Sequence, residues 1–107
     1  MKNFCVAVAA SLFLLLPSIT QAEEPECAAE ARKRAHALLS FHSDNDDRVA
    51  IDDTVKQLPS LRNPADPKQR LNVLEVRGYI YKATYRLRLI YAQMPGCILM
   101  GEEVLAW

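Results

Sequence analysis

The sequence carries no surplus of either charge: thirteen Lys+Arg stand against thirteen Asp+Glu. A protein that grips nucleic acid carries a clear basic excess, so this balance argues against that class. There is no Cys-x-x-Cys, and the only histidines are His36 and His42. They are about 120° apart around a helix axis and do not form a ligand pair. A redox or metal site therefore lacks its usual spacing. Ser40, Ser43 and Ser60 sit in no nucleophile motif. Residues 43–47, Ser-Asp-Asn-Asp-Asp, suggest a calcium loop. Arg48 stands where the third ligand belongs and Val49 where the glycine belongs, so the stretch reads as a solvated turn. Met94 and Met100 flank a turn and read as packing rather than as copper(I) ligands. The acidic neighbours Asp52-Asp53 and Glu102-Glu103 would point to opposite faces of a strand, so neither pair is a catalytic dyad. No catalytic residue, metal or cofactor is expected.

What is present begins with an export signal. Met1-Lys2-Asn3 is a short basic start, residues 4–16 are apolar and uncharged, Pro17 breaks the run, and Thr20-Gln21-Ala22 offers small residues for cleavage. The apolar run is shorter than the roughly 20 residues a membrane-spanning helix needs. Cys5 lies at the start of that run, the wrong place for a lipoprotein cysteine. The expectation is a signal peptide over residues 1–22, of bacterial style. A single small domain over residues 23–107 would follow it, in the periplasm or secreted. Removing the signal removes Lys2, leaving twelve Lys+Arg against thirteen Asp+Glu. Their distribution is uneven: residues 23–66 hold ten acids and six bases, residues 67–107 three acids and six bases.

Two cysteines remain, Cys27 and Cys97. An even pair in an oxidising compartment reads as a disulfide. The chain-entropy model credits closure of so long a loop with about 4 kcal/mol. That is comparable to the whole expected stability of so small a domain.

Residues 23–41 read as a helix. Pro25 suits a first turn, and Glu23, Glu24, Glu26 and Glu30 favour the positive end of the helix dipole. Cys27, Ala28, Ala31, Ala35, Leu38 and Leu39 recur at three- and four-residue spacing and form a narrow buried stripe. Glu30, Lys33, Arg34 and Ala37 point away. Residues 49–58 read as a strand with an irregularity at Asp52-Asp53, ended by Pro59 or marked by it as an edge. Residues 63–67 hold two prolines and read as a loop. Residues 71–76 form a short strand, with Arg77-Gly78 as the turn after it.

Residues 79–91, Tyr-Ile-Tyr-Lys-Ala-Thr-Tyr-Arg-Leu-Arg-Leu-Ile-Tyr, decide the fold class. On a helix the tyrosines would scatter. On a strand Tyr79, Tyr81, Ala83, Tyr85, Leu87, Leu89 and Tyr91 share one face, while Ile80, Lys82, Thr84, Arg86, Arg88 and Ile90 share the other. After the Pro95-Gly96 turn, residues 97–107 read as the last strand, with Gly101 a bulge or kink. Pairing across that turn would set Arg86 near Glu103, an opposite-charge contact of a few tenths to about 1 kcal/mol.

The chain therefore reads as α+β: one N-terminal helix on a four-stranded antiparallel sheet, α-β-β-β-β, stapled by one disulfide. This order resembles the cystatin-like or NTF2-like arrangement of a helix on a curved antiparallel sheet. The chain also resembles small exported proteobacterial proteins of unassigned function. With the helix over the tyrosine side, Lys82, Arg86 and Arg88, extended by Arg77 and Lys68, face water. That face is either an ordinary solvated surface with ion pairs to Glu75 and Glu103 or a docking surface for an acidic envelope protein or anionic polymer. The functional expectation is a non-catalytic binding module: an inhibitor, an immunity-type protein or an accessory subunit. A small-ligand or enzymatic pocket lined by Tyr81, Tyr85 and Tyr91 is one alternative. A structural envelope protein pairing through an exposed edge strand is another.

Overall fold

Alternation along the strands sets the layers. A computed structural model describes residues 24–106, so residues 1–23, with the expected signal peptide over 1–22, and Trp107 lie outside the described residues. The described chain runs α1 (Ala28–His42), β1 (Val49–Asn63), β2 (Asp66–Ile80), β3 (Ala83–Ala92) and β4 (Leu99–Ala106). The strands form one antiparallel sheet in the order β1-β2-β3-β4, so β1 and β4 are its edges. The fold class expected from the sequence is the one found.

The alanine stripe does what its spacing implies. Ala28, Ala31, Ala35 and Leu39 are buried, and they pack on Val55, Leu74, Val76, Leu87, Leu89 and Tyr91. Small side chains let the helix lie close to the sheet. Gly78 shows how close: a Cβ built there would come 2.6 Å from Leu39 Cδ2 and 2.9 Å from Leu87 Cδ1. The space between helix and sheet is filled, with Leu39, Leu74, Val76, Leu87 and Leu89 essentially inaccessible.

The helix starts at Ala28, later than its charge pattern suggests. Cys27 caps it with φ 69°, a left-handed conformation that cannot continue a helix backwards. Pro25 instead closes a turn, its carbonyl accepting from the Ala28 N–H at 3.1 Å. Cys27 is bonded to Cys97, with Cα atoms 5.6 Å apart, so the expected staple is present. Both half-cystines have positive φ, Cys97 at 50°.

The hairpins differ from expectation in position. The β2–β3 turn is Tyr81-Lys82, not Arg77-Gly78: Ile80 pairs with Ala83, and Tyr81 takes φ 55°. Gly78 lies inside β2 because Leu39 needs the room above it. Moving the turn moves the tyrosines. Tyr79 lies on β2 opposite Thr84 and therefore on the face away from the helix, while Tyr81 is exposed at the tip. Tyr85 and Tyr91 keep the expected helix side.

β1 does not stop at Pro59, nor do residues 63–67 form a long loop. Only Pro64-Ala65 turns the chain between β1 and β2. Pro59 is accommodated because β1 is an edge, and Pro67 because β3 reaches β2 only as far as Leu71. The irregularity at Asp52-Asp53 is present: register shifts between Ile51 and Val55, where the Asp52 carboxylate accepts the Thr54 N–H at 3.2 Å. Register also shifts further along β1, between Leu58 and Leu61 and between Arg62 and Asn63, and beside Gly101 between Ile90 and Tyr91. As a result Arg88, not Arg86, stands opposite Glu103, and Arg86 faces Leu105.

Candidate functional site

The face of the sheet away from the helix is laid out in cross-strand rungs. Val76, Leu87, Leu74 and Leu89 point at the helix. Alternation therefore turns Glu75 and Arg77 of β2, with Arg86 and Arg88 of β3, to the other side. Register completes the rungs. Lys56, Glu75, Arg88 and Glu103 face one another across all four strands, cation and anion in alternation. Arg88 Nε donates to Glu75 Oε2 at 3.0 Å. Opposite charges at such positions are the stabilising arrangement for a wet sheet face.

The next rung breaks the alternation. Arg77 and Arg86 are direct partners on β2 and β3. Like charges directly opposite are disfavoured on a ladder, and here the carboxylates of Asp52 and Glu75 stand beside the pair. Asp52, Thr54, Lys56, Glu75 and Arg77 line a shallow depression beside it, opened by the β1 bulge. On the far side of the charged rung the face becomes apolar. Leu58, Val73 and Ile90 form one rung and Leu61, Leu71 and Ala92 another, with Leu71, Val73 and Ala92 buried. These residues stand apart from the main core.

The structure thus brings Arg77, Arg86 and Arg88 together, as alternation on β3 implies, and sets them among three carboxylates. Lys82 is separated from them. It occupies the β2–β3 turn, where its ammonium and the Arg48 guanidinium lie 5.4 and 5.5 Å from the Tyr81 ring centre. Lys68 lies at the far end of β2, beyond its pairing with β3. The ion pairing of this face with Glu75 and Glu103 is expected from the sequence; the place of Lys56 in the rung follows only from register.

Other polar groups are structural. Arg34 on α1 holds Glu102 on β4 with two hydrogen bonds, at 2.6 and 2.8 Å. The hydrogen bond from Arg34 keeps the Glu102 carboxyl below its ordinary range. Burial raises the Tyr91 phenol. Arg48 hydrogen-bonds Asp46 and lowers its carboxyl to about 2. Among the described residues no group of three His, Cys, Asp or Glu side chains is placed to hold a metal ion. His36 stands 3.5 Å from Ser40 on the exposed helix surface, and His42 packs edge-on against Tyr85. No helix of the described residues is long and apolar enough to cross a membrane. In comparisons with known proteins the chain matches no family model, no curated protein and no solved structure.

Proposed function

We propose that this chain is a non-catalytic binding module of the periplasm or extracellular space, docking an acidic partner through the open face of its sheet. The observation that carries the reading is the Arg77–Arg86 rung. Two guanidinium groups are brought side by side on a rigid ladder, on the face the helix leaves uncovered. Guanidinium groups recognise carboxylates through paired, planar hydrogen bonds, and a rigid strand limits the entropy lost on binding. The Arg88–Glu75 pair beside them fixes the neighbouring rung, so the acceptor surface is ordered before a partner arrives. The disulfide fits an oxidising compartment.

The test is capture from envelope extract with the wild type and with an Arg77→Glu/Arg86→Glu variant. Circular dichroism and an intact disulfide would confirm that both are folded. The expected result is a set of acidic partners retained by the wild type, released by salt and lost with the variant. Identical sets of captured proteins from the two would remove the arginine rung from the function.

A further inference from the structure

We propose that the opposite end of the molecule, formed by the β1–β2 arm and the β3–β4 connection, docks on an anionic phospholipid bilayer. Two features leave the sheet at this end. The β2–β3 ladder stops at Leu71 and Ala92. Beyond it β1 and β2 continue as an isolated two-stranded arm, paired by Leu61–Leu71, Arg62–Arg70 and Asn63–Asp66. From Ala92 the chain leaves the sheet as the connection of residues 93–98 and rejoins it at Leu99; residues 93–101, Gln-Met-Pro-Gly-Cys-Ile-Leu-Met-Gly, hold no charged side chain.

The exposed apolar residues concentrate here. Leu61, Met94, Ile98, Leu99 and Met100 are between 36% and 53% exposed. On a small domain such a concentration marks an interaction surface. Leu61 belongs to the rung Leu61–Leu71–Ala92, and the burial of Leu71, Val73 and Ala92 at the root of the arm gives the site a firm base. The disulfide at Cys97 anchors the connection to the helix.

The charge on the arm is basic. Arg62, Lys68 and Arg70 accompany a single acid, Asp66. Among the described residues none of the three cations forms an ion pair; Arg70 donates only to the Ser60 hydroxyl, and the Asp66 carboxylate accepts the Lys68 N–H. Apolar side chains at a projecting end, flanked by cations without carboxylate partners, match a bilayer interface: hydrocarbon below, phosphate above. A protein partner would favour a concave pocket for its anchoring side chains. The depression found here is shallow and open, and it includes Glu26 beside Met94 and Pro95. Glu26 keeps that corner in water, leaving Ile98, Leu99, Met100 and Leu61 to enter the interface.

The experiment uses the protein recovered from the periplasm, its N-terminus established by mass spectrometry. It is floated with vesicles of phosphatidylglycerol and phosphatidylcholine, or of phosphatidylcholine alone. The expected result is binding to the anionic vesicles only, reversed by salt. Each Lys or Arg at such a surface contributes about fivefold in partitioning, so Arg62→Glu/Lys68→Glu weakens binding by more than about tenfold. Ile98→Asp/Met100→Asp abolishes it; Leu61→Asp serves in its place if that variant loses the disulfide. Arg77→Glu/Arg86→Glu, on the sheet face, binds vesicles as the wild type does, which separates this proposal from acidic-partner docking. A wild type that stays unbound, or binds neutral vesicles equally well, overturns the proposal. So does a result in which only the sheet-face variant loses binding.

Discussion

Arg34 of α1 and Glu102 of β4, 68 residues apart in sequence, meet through two parallel hydrogen bonds at 2.6 and 2.8 Å. The pair ties the helix to the far edge strand, across a part of the sheet that the alanine stripe does not reach. It is partly exposed, so its energy is modest. A double-mutant cycle of Arg34→Ala and Glu102→Gln in urea denaturation is expected to return a coupling of about 0.5–1 kcal/mol. Because the Glu102 carboxyl is lowered on folding, the coupling is present above the ordinary glutamate range. It fades as pH falls through the lowered folded value.

Gly78→Ala is expected to destabilise the fold by about 1–3 kcal/mol, the usual cost of overpacking a filled core. The added methyl would meet Leu39 and Leu87, both fully buried, at distances that real contacts do not tolerate. Chemical denaturation reads the loss. A denaturation midpoint equal to that of the wild type would show that Leu39 can turn aside at no cost.

Replacing Cys27 and Cys97 by serine is expected to cost about 4 kcal/mol, the chain-entropy value for a loop of this size. Two left-handed half-cystines each hold backbone strain. Relief of that strain would make the measured loss smaller than the entropic figure, and comparison of urea midpoints gives the net.

Asp46 is expected to titrate at about 2 in the folded protein. Its unfolded value lies near 3.9. The Arg48 hydrogen bonds therefore add stability that is complete above about pH 4 and disappears as pH falls toward 2. Carbonyl-carbon NMR of the Asp46 side chain follows this directly, and Arg48→Ala returns the midpoint to the ordinary carboxylate range.

The features legible in the sequence are those that depend on local period or on compartment. The buried stripe Ala28, Ala31, Ala35 and Leu39 needs only 3.6-residue spacing. The partition of Leu87 and Leu89 from Arg86 and Arg88 needs only a period of two. The Cys27–Cys97 bond follows from the two cysteines that remain once residues 1–22 are read as an export signal. The bulge at Asp52-Asp53 shows as broken alternation.

Whatever depends on where one strand meets another is not legible. Gly78 has the composition of a turn residue, yet it is there to admit Leu39. The real turn, Tyr81-Lys82, has no turn chemistry, so alternation alone puts Tyr79 on the helix side when it belongs to the open one. Pro59 and Pro67 read as breakers, although each falls where a ladder hydrogen bond is not required on one side. The irregularity beside Gly101 shifts β4, so Glu103 meets Arg88 instead of Arg86. The apolar rungs, and the place of Lys56 in the charged rung, are invisible for the same reason: each depends on the register between strands.

The Cys27–Cys97 bond has a mechanical consequence. It encloses α1, β1, β2 and β3 and, among the described residues, leaves β4 as the one strand outside the covalent ring. Tension applied between the two ends of the domain would run through the sulfur bridge and bypass everything within it. β4 alone could peel from β3, starting at Ala106 and Tyr85 and stepping inward one pair at a time until the Arg34–Glu102 clasp resisted. A stretched molecule would yield a short tether and keep its remaining three-stranded body intact.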